Sequence, residues 1–267
     1  MERADWRSYD RVAEHYDRVW GSRFDAAARH LVNRARLGPD ERLLDVGTGT
    51  GAILAAAEAM QPRPAPVAID RSAAMLARAR ARVPRLLGVA AQAAELPFRD
   101  RSFDAVSFGF VLSHLRDEVQ ALREAHRVLR PRGRLAASCW GPMTDIAQQA
   151  WRDLLISVLD ESAVDAAAAE VAPLEGRFGD SGNLRRAFSD AGFNGVEVHE
   201  VALEVDLGVD EFLEDRTLGS AGRYARHALG EAAWETFRTR ALEDLRRRLG
   251  SRVRLNRMVL IAVGRRP

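Results

Sequence analysis

The residues best suited to chemistry lie in two short segments, 43–51 and 67–70. The first reads Leu-Leu-Asp-Val-Gly-Thr-Gly-Thr-Gly, so an acid, Asp45, is followed by three alternate glycines. Glycines leave bare backbone for a ligand to approach, and a helix opening at Ala52 would point its N-terminus at that ligand. The second segment, Val-Ala-Ile-Asp, ends in Asp70, a carboxylate suited to two ribose hydroxyls. Together the two segments predict a nucleoside site.

Length and composition set the class of protein. With 267 residues, 47% hydrophobic and 29% charged, the chain suits one large globular domain, or one domain with a substantial insertion. No stretch approaches the roughly 20 apolar residues that a membrane span needs, and residues 1–7 lack the apolar core of a signal peptide. A cytoplasmic protein with no membrane partner is therefore expected.

The supply of reactive residues excludes several chemistries. Cys139 is the only cysteine, which rules out a disulfide within the chain and a thiolate metal cluster, and no metal site is predicted. It is expected in the core rather than as a nucleophile. All 40 basic residues are arginine, so a lysine nucleophile, a Schiff base and a phosphate-binding lysine are excluded. The net charge of +2 gives no indication of a nucleic-acid partner.

Short apolar strands alternate with helices through the first 140 residues. Ser72 is expected to cap a helix, and three prolines predict a loop at 61–66. The alternation predicts an α/β protein with a doubly wound parallel sheet. The predicted strands are 42–46, 67–70, 86–91, 103–108 and 134–139, and the predicted helices are two over 5–36 and one each at 52–59, 73–82 and 117–129.

Beyond Trp140 the pattern changes to longer helical segments with two further strands. No linker separates these segments, so residues 1–267 are predicted to form a single domain. The helical segments are 143–172, 184–191 and 210–249, and the strands are 196–207 and 252–263.

At this point the chain resembles the class I S-adenosylmethionine-dependent methyltransferases, in the branch that includes ubiquinone and menaquinone biosynthesis enzymes and many small-molecule, natural-product enzymes. The resemblance rests on the acid and glycines of 45–51, on Asp70, on Leu-Pro-Phe-Arg-Asp-Arg-Ser-Phe-Asp at 96–104, and on the helix and turn at 123–134. It covers residues 40–140 well and extends only to an Ala-Gly-Phe turn at 191–193.

The resemblance implies a Rossmann-like seven-stranded sheet in which strand seven is antiparallel and lies between strands five and six. Residues 1–38 would be N-terminal helices, and segments 143–180 and 208–250 would be helical insertions that form a lid on the substrate side. The insertions could instead serve dimerisation, which would make the protein a homodimer.

The resemblance also assigns residues to the cofactor, S-adenosyl-L-methionine, which leaves as S-adenosyl-L-homocysteine. The acid and the turn would receive the methionine end, and the acid of strand two would bind the ribose. Gln92 is either the acceptor for the adenine amino group or an exposed loop residue, and Tyr16 either folds over the methionine end or packs its helix on the sheet. The implied cofactor residues are Tyr16, Asp45, Gly47, Thr48, Gly49, Asp70, Arg71, Met75, Gln92, Ala93, Phe108 and Gly109.

The glycines leave an NAD-dependent oxidoreductase open as an alternative, because Gly47, Gly49 and Ala52 also stand at the dinucleotide spacing. Asp45 favours the methyl donor, since a carboxylate beside the turn repels a pyrophosphate but attracts an ammonium. The segment 96–104 favours it as well. A non-catalytic module that keeps the fold is a further alternative.

The expected reaction is in-line methyl transfer to a small molecule, with the acceptor atom roughly 3–3.5 Å from the methyl carbon. Whether oxygen, nitrogen or carbon is methylated stays open. His114 is either a general base or a surface or capping residue. Phe-Gly-Phe-Val at 108–111 replaces the motif of base-flipping enzymes, which again argues against nucleic acid. The aromatic residues in segments that could line the acceptor pocket are Trp140, Phe178, Phe212, Tyr224 and Trp234.

Overall fold

The computed structural model describes residues 5–60, 66–142 and 145–267. Most of the loop predicted at 61–66, and the start of the helical segment predicted at 143–172, lie outside the described residues. Among the residues described, no helix combines the length and apolar character that crossing a membrane would take.

The described residues build a seven-stranded sheet in the order β3-β2-β1-β4-β5-β7-β6. The pairs among β1 to β5 are parallel, and β7 is antiparallel to β5. The predicted sheet is therefore confirmed, including the antiparallel strand between strands five and six. The strands are β1 (Leu43–Val46), β2 (Val67–Asp70), β3 (Leu87–Ala90), β4 (Phe103–Gly109), β5 (Leu129–Trp140), β6 (Asn194–Gly208) and β7 (Arg252–Arg265).

The central strands are apolar because both of their faces are covered. All four residues of β1 are buried, and the helices beside the sheet present small or aliphatic side chains to it. Strand β5 differs from expectation, since it begins at Leu129 rather than at Arg134 and its pairing with β4 shifts register across the Pro131-Arg-Gly turn.

Five helices of the described residues begin at a polar side-chain cap, and the sequence predicted one of these caps, Ser72. Ser72, Asp117, Asp145, Asp160 and Asp180 each accept a hydrogen bond from the backbone N–H three residues on. Such a cap is worth about 0.5–2 kcal/mol. The helices are α1 (Ala13–Trp20), α2 (Asp25–Ala35), α3 (Ala52–Met60), α4 (Ala73–Arg82), α5 (Glu118–Val128), α6 (Ile146–Ile156), α7 (Glu161–Val171), α8 (Glu175–Phe178), α9 (Ser181–Asp190), α10 (Val209–Leu218), α11 (Ser220–Leu229) and α12 (Glu231–Leu249).

The chain divides into two compact units. The first holds Tyr9–Pro142, Leu174–Val201 and Met258–Pro267, and its core lies against the sheet. The second holds the described parts of Met1–Ser8, Met143–Pro173 and Ala202–Arg257. Its own core is built mostly from helices, with Trp151, Phe212, Trp234 and Phe237, and also contains Val253 and Leu255 of β7. The predicted lid role of segments 143–180 and 208–250 stays a prediction.

Candidate functional site

The predicted site residues converge at one edge of the sheet. Strand β1 lies between β2 and β4, and these three strands are parallel, so their carboxyl ends meet. Helical connections run from β1 toward β2 and from β4 toward β5, so the order of strands reverses between β1 and β4. Ligands of doubly wound sheets bind outside the carboxyl ends at such a reversal.

The glycine turn after β1 needs glycine at three positions for different reasons. Gly47, Gly49 and Gly51 have φ values of +67°, +53° and +85°, in the left-handed region. A Cβ at Gly47 would lie 2.5 Å from a methyl group of Val111, and one at Gly51 would lie 3.2 Å from the Cα atom of Ala79. A Cβ at Gly49 would meet nothing within 4 Å. The open side of the turn is therefore at Gly49.

This difference predicts separable effects of two substitutions. Gly47→Ala is expected to lower the free energy of unfolding by about 2–4 kcal/mol, since strain and overpacking against Val111 add. Gly49→Ala is expected to cost about 1 kcal/mol, the strain alone, while placing a methyl group where the ligand would lie. Chemical denaturation and titration calorimetry with S-adenosylhomocysteine measure the two effects.

The double variant Gly47→Ala/Val111→Ala is the control, and it should recover part of the lost stability. If Gly49→Ala left ligand affinity unchanged, the open side of the turn would not be the binding face.

Asp70 holds the turn to the end of β2. One carboxylate oxygen, Oδ2, accepts from the Gly49 N–H at 2.8 Å, and the other, Oδ1, accepts from the Ser72 N–H at 2.9 Å. Burial raises the pKa of Asp70, and these two N–H donors partly offset the rise. Each carboxylate oxygen has a second lone pair, so both can accept a further hydrogen bond.

Asp45 lies beneath the same turn as a buried acid. Its Oδ1 atom accepts from the Ser107 hydroxyl at 2.7 Å, across the β1–β4 pair. Loss of solvent raises the pKa of Asp45 to about 7, and the bond from Ser107 limits the rise. Thr48 Oγ1 is buried and completes no hydrogen bond of ordinary geometry, although it lies near enough to Asp45 to lower the pKa of that acid. A buried carboxyl and an unsatisfied hydroxyl thus lie together at the turn.

The end of β4 forms the other side of the site. Phe108 is fully buried in the core, so only its backbone can face a ligand. A Cβ at Gly109 would lie 2.5 Å from Cδ1 of Ile53 on α3, which gives this glycine a packing reason separate from ligand space. Phe110 follows with φ at +56°, and its N–H donates to Ser138 O at 3.0 Å and to Ser138 Oγ at 3.2 Å.

The predicted adenine residues follow β2 and β3. Met75 is buried and donates its N–H to the hydroxyl of Ser72, whereas Arg71 and Gln92 are exposed. Ala93 is half-buried and packs against the core. These positions test neither reading of Gln92, and the adenine contacts stay predictions.

His114 and Cys139 lie in different surroundings. His114 is exposed on a short 3₁₀ turn, and its ring meets Tyr9 edge-on at 6.3 Å between centroids. Cys139 is buried in the core, where burial raises the pKa of its thiol to about 12. The structure thus places the cysteine as expected, while the role of His114 is not tested. Over residues 5–60, 66–142 and 145–267, no group of three or more metal-ligating side chains is present.

The aromatic residues predicted as candidates for the acceptor pocket differ in burial. Trp140 is half-buried at the end of β5, but Phe178, Phe212 and Trp234 are buried in the cores of their units. Those three were wrong as pocket-lining candidates, because helical periodicity does not distinguish a core position from a pocket wall. Tyr224 is half-buried and meets Trp6 edge-on at 5.5 Å.

Sequence reasoning missed three residues near the turn. Asp10 accepts from the Ser72 hydroxyl at 2.6 Å and from the Ala74 N–H at 3.2 Å, so it fixes the start of α4. Ser107 holds Asp45, and Phe110 adopts its positive φ. No local signal marks any of these residues, since each acts through a partner distant in sequence or through a backbone angle.

Comparisons with known proteins identify the family. Residues 44–137 match the model of a methyltransferase domain. A demethylmenaquinone methyltransferase of Thermotoga maritima is 35% identical over 133 residues, which cover 48% of this chain and 58% of the relative. One from Mycobacterium tuberculosis is 35% identical over 161 residues, 58% of this chain and 67% of the relative. This chain belongs to the class I S-adenosylmethionine-dependent methyltransferases, of the ubiquinone and menaquinone type.

Solved methyltransferases share the fold. A phosphoethanolamine N-methyltransferase of Haemonchus contortus, in complex with phosphomonomethylethanolamine and S-adenosylhomocysteine, superposes with a TM-score of 0.61 at 18% identity, covering 99% of this chain and 60% of that one. The chain spans about half the length of the curated relatives it matches. Membership of the methyltransferase family confirms the resemblance, and the comparisons give no support to an NAD-dependent oxidoreductase.

Proposed function

We propose that this methyltransferase transfers the methyl group of S-adenosylmethionine to a small-molecule acceptor. The observation that carries the proposal is the glycine turn held between two acids. Asp45 lies buried below it, Asp70 accepts from Gly49, and the side of the turn at Gly49 is open. An adenosine with a cationic methionine end matches this arrangement in both shape and charge.

The charge at the turn favours this ligand over a dinucleotide. Burial is the main cause of the raised pKa of Asp45, and the charge of Asp70 nearby raises it further. A pyrophosphate would add negative charge to this pair, whereas an ammonium would relieve the repulsion. The unsatisfied Thr48 hydroxyl offers a further polar contact to a ligand at the turn.

The residues of the site would then have separate tasks. The second lone pairs of the Asp70 carboxylate would accept the ribose hydroxyls, while its present bonds keep Gly49 and Ser72 in place. Asp45 would receive the ammonium, directly or through water, with Ser107 fixing its carboxyl. Ala93 and Gln92 would meet the adenine edge, and Arg71 and Met75 would flank the base.

When bound, S-adenosylmethionine would supply an electrophilic methyl group. A lone pair of the acceptor would form the new bond to the methyl carbon, and the electron pair of the sulfur–carbon bond would return to sulfur. The product of the donor would be S-adenosylhomocysteine. The protein would hold the acceptor on the axis of the breaking bond, which supplies a large part of the barrier reduction. A dry site favours the step because charge disperses in it. His114 is the candidate to take an acceptor proton.

The acceptor is proposed to be a small molecule. The relatives are named for demethylmenaquinone, and the net charge of +2 offers no broad cationic surface for a nucleic acid.

Titration calorimetry tests the cofactor. The protein is expected to bind S-adenosylhomocysteine with a Kd in the micromolar range, on the order of −8 kcal/mol, and to bind NAD at least a hundredfold more weakly. Tight NAD binding without S-adenosylhomocysteine binding would overturn the proposal. Acceptor libraries assayed by release of S-adenosylhomocysteine then test transfer, and binding without any methylated product would favour a non-catalytic module.

A further inference from the structure

Asp10 is joined to the loop that follows β2, although 62 residues of sequence separate it from its partner there. Its Oδ1 atom accepts a hydrogen bond from the Ser72 hydroxyl at 2.6 Å and another from the Ala74 N–H at 3.2 Å. A hydroxyl that donates to a carboxylate at such a distance makes a charge-assisted bond, which is stronger than a bond between neutral groups. Asp10 is therefore a firm attachment point for this loop.

Ser72 connects the attachment to the acid that is proposed to bind the ribose. Ser72 is buried, its hydroxyl accepts from the Met75 N–H at 3.1 Å, and its own N–H donates to Oδ1 of Asp70 at 2.9 Å. The hydroxyl is thus held by Asp10 on one side and by α4 on the other. Because this fixes the backbone of Ser72, the orientation of the Asp70 carboxylate depends on Asp10.

The carboxylate of Asp70 has a second support on its other oxygen. The Gly49 N–H donates to Oδ2 at 2.8 Å, from the turn after β1, which is the strand next to β2. Two donors on separate segments fix the plane of the carboxylate, so its remaining lone pairs point in set directions. If the support from Ser72 loosened, the carboxylate could rotate, and the ribose hydroxyls would meet it at poorer angles.

The segment that carries Asp10 has contacts of its own, apart from those to the loop after β2. The ring of Tyr9 meets the ring of Tyr16 edge-on at 5.8 Å between centroids. It also meets the ring of His114, on the short 3₁₀ turn after β4, edge-on at 6.3 Å. Asp10 therefore reaches Ser72 from a segment that is itself held in place, as an anchor requires.

Capping of α4 does not by itself account for the bond between Asp10 and Ser72. A single aspartate, Asp145 or Asp180, makes the cap at the start of α6 and of α9. At α4 the hydroxyl of Ser72 makes the corresponding bond, and Asp10 is present in addition. The further effect of Asp10 is on the position of Ser72, and so on the acid bonded to it.

We propose that Asp10 is a positioning residue for the cofactor, because it holds the Ser72 hydroxyl and thereby keeps the Asp70 carboxylate directed at the ribose hydroxyls. This inference rests on the proposed function, since it takes the ribose to be the partner of Asp70. It predicts that Asp10 controls how strongly the protein distinguishes a ribose from a sugar that lacks both hydroxyls. The overall stability of the fold does not set that distinction.

Titration calorimetry with S-adenosylhomocysteine and its 2′,3′-dideoxy analogue measures the distinction. Wild type is expected to bind the analogue about a hundredfold more weakly, since two charged hydrogen bonds are lost. Asp10 is exposed, so Asp10→Ala is expected to fold. In this variant the ratio of the two affinities should fall to about tenfold or less, because only S-adenosylhomocysteine loses affinity. An unchanged ratio would overturn the proposal.

Two further variants separate positioning from capping. Asp10→Asn keeps a carbonyl acceptor for the Ser72 hydroxyl and removes a charge that raises the pKa of Asp70, so it should retain most of the wild-type ratio. Asp180→Ala is the matched control, because Asp180 accepts from the Asn183 N–H at 2.7 Å at the start of α9. It should lower the Tm about as much as Asp10→Ala and keep the ratio. An equal fall of the ratio in Asp180→Ala would overturn the proposal.

A double variant tests the route through Ser72. Ser72→Ala removes the hydroxyl and keeps the N–H, so its ratio of affinities should fall as that of Asp10→Ala does. Asp10→Ala/Ser72→Ala should lose no more of the ratio than Ser72→Ala alone, because residues that act through one contact are not additive. Full additivity of the two losses would show that Asp10 does not act through Ser72.

The same measurements distinguish failure of this proposal from failure of the proposed function. If wild type bound neither ligand, the cofactor site and the role of Asp10 would both be overturned. If wild type bound the two ligands equally well, Asp70 would not be the ribose acid, and Asp10 would have nothing to position. If wild type preferred S-adenosylhomocysteine and Asp10→Ala kept that preference in full, the cofactor site would stand and only the role of Asp10 would fail.

Discussion

Replacing Asp70 by alanine is expected to weaken the binding of S-adenosylhomocysteine by about ten- to a thousandfold. Each charged hydrogen bond to a ribose hydroxyl is worth roughly 1.5–3 kcal/mol, and water replaces part of it in the variant. The structure adds a second contribution, because the Gly49 N–H loses its acceptor and the turn loses its link to β2. Titration calorimetry at constant salt measures the combined effect.

Two further variants separate these contributions. Asp70→Asn keeps one carbonyl acceptor for the turn but removes the charge, so it should retain more stability than alanine while still binding at least tenfold more weakly. Asp190→Asn removes an exposed acid at the end of α9 and should leave the Kd unchanged. Wild-type affinity in both Asp70 variants would show that this carboxylate only organises the turn.

Replacing Asp45 by asparagine is expected to stabilise the ligand-free protein at pH 8 and to weaken the binding of S-adenosylhomocysteine. Burial raises the pKa of Asp45 from 3.8 to about 7, so at pH 8 the folded protein carries a buried carboxylate. The raised pKa corresponds to a destabilisation of about 4 kcal/mol at most. Asparagine keeps an acceptor for the Ser107 hydroxyl and carries no charge, so most of this destabilisation should disappear.

The sign of the pH dependence follows from the raised pKa. The folded state holds the Asp45 proton more tightly than the unfolded state does, so this group favours folding below about pH 4, and its contribution is lost as the pH rises to about 7. Denaturation of wild type between pH 4 and 8 should show this loss, and Asp45→Asn should lack it. If the free energy of unfolding depended on pH in the same way in wild type and in Asp45→Asn, Asp45 would not be the group responsible.

The affinity for the ligand should depend on pH in the opposite direction to the stability. An ammonium near Asp45 favours the ionised carboxyl, so the affinity for S-adenosylhomocysteine should rise with pH between 5.5 and 7.5 and flatten above the pKa of about 7. The Asp45→Asn variant should bind at least tenfold more weakly and lose this dependence. A site that gives up stability for a functional charge is a common arrangement in enzymes.

The sequence predicts the strands and the glycine turn well, because the signals for them are local. A glycine turn between a buried strand and a helix, and an acid closing the next strand, report directly on backbone geometry near Gly47 and Asp70. The parallel strand order then brings these segments to one edge. The fold and the ligand class follow from a few short segments.

The contacts among Phe24, Phe110 and Trp140 and the hydrogen bonds that support the acids could not be predicted, since they join distant segments. These three aromatic residues lie in three separate segments, and nothing in the sequence near each of them marks it as half-buried. Asp10 acts on Ser72 across 62 residues of sequence. In the second unit, Gly219 and Gly230 divide the segment 210–249, which was predicted to be helical throughout, into α10, α11 and α12.

The position of β7 between β5 and β6 sets an order of assembly. During synthesis β1 to β5 emerge first and can pair in parallel, whereas β6 emerges before the strand that joins it to the sheet. Until β7 arrives, the edge of β5 and the whole of β6 lack their partners, and unpaired edges invite association between chains. Nascent chains stopped before residue 252 should therefore be the aggregation-prone species, even though the glycine turn is already in place.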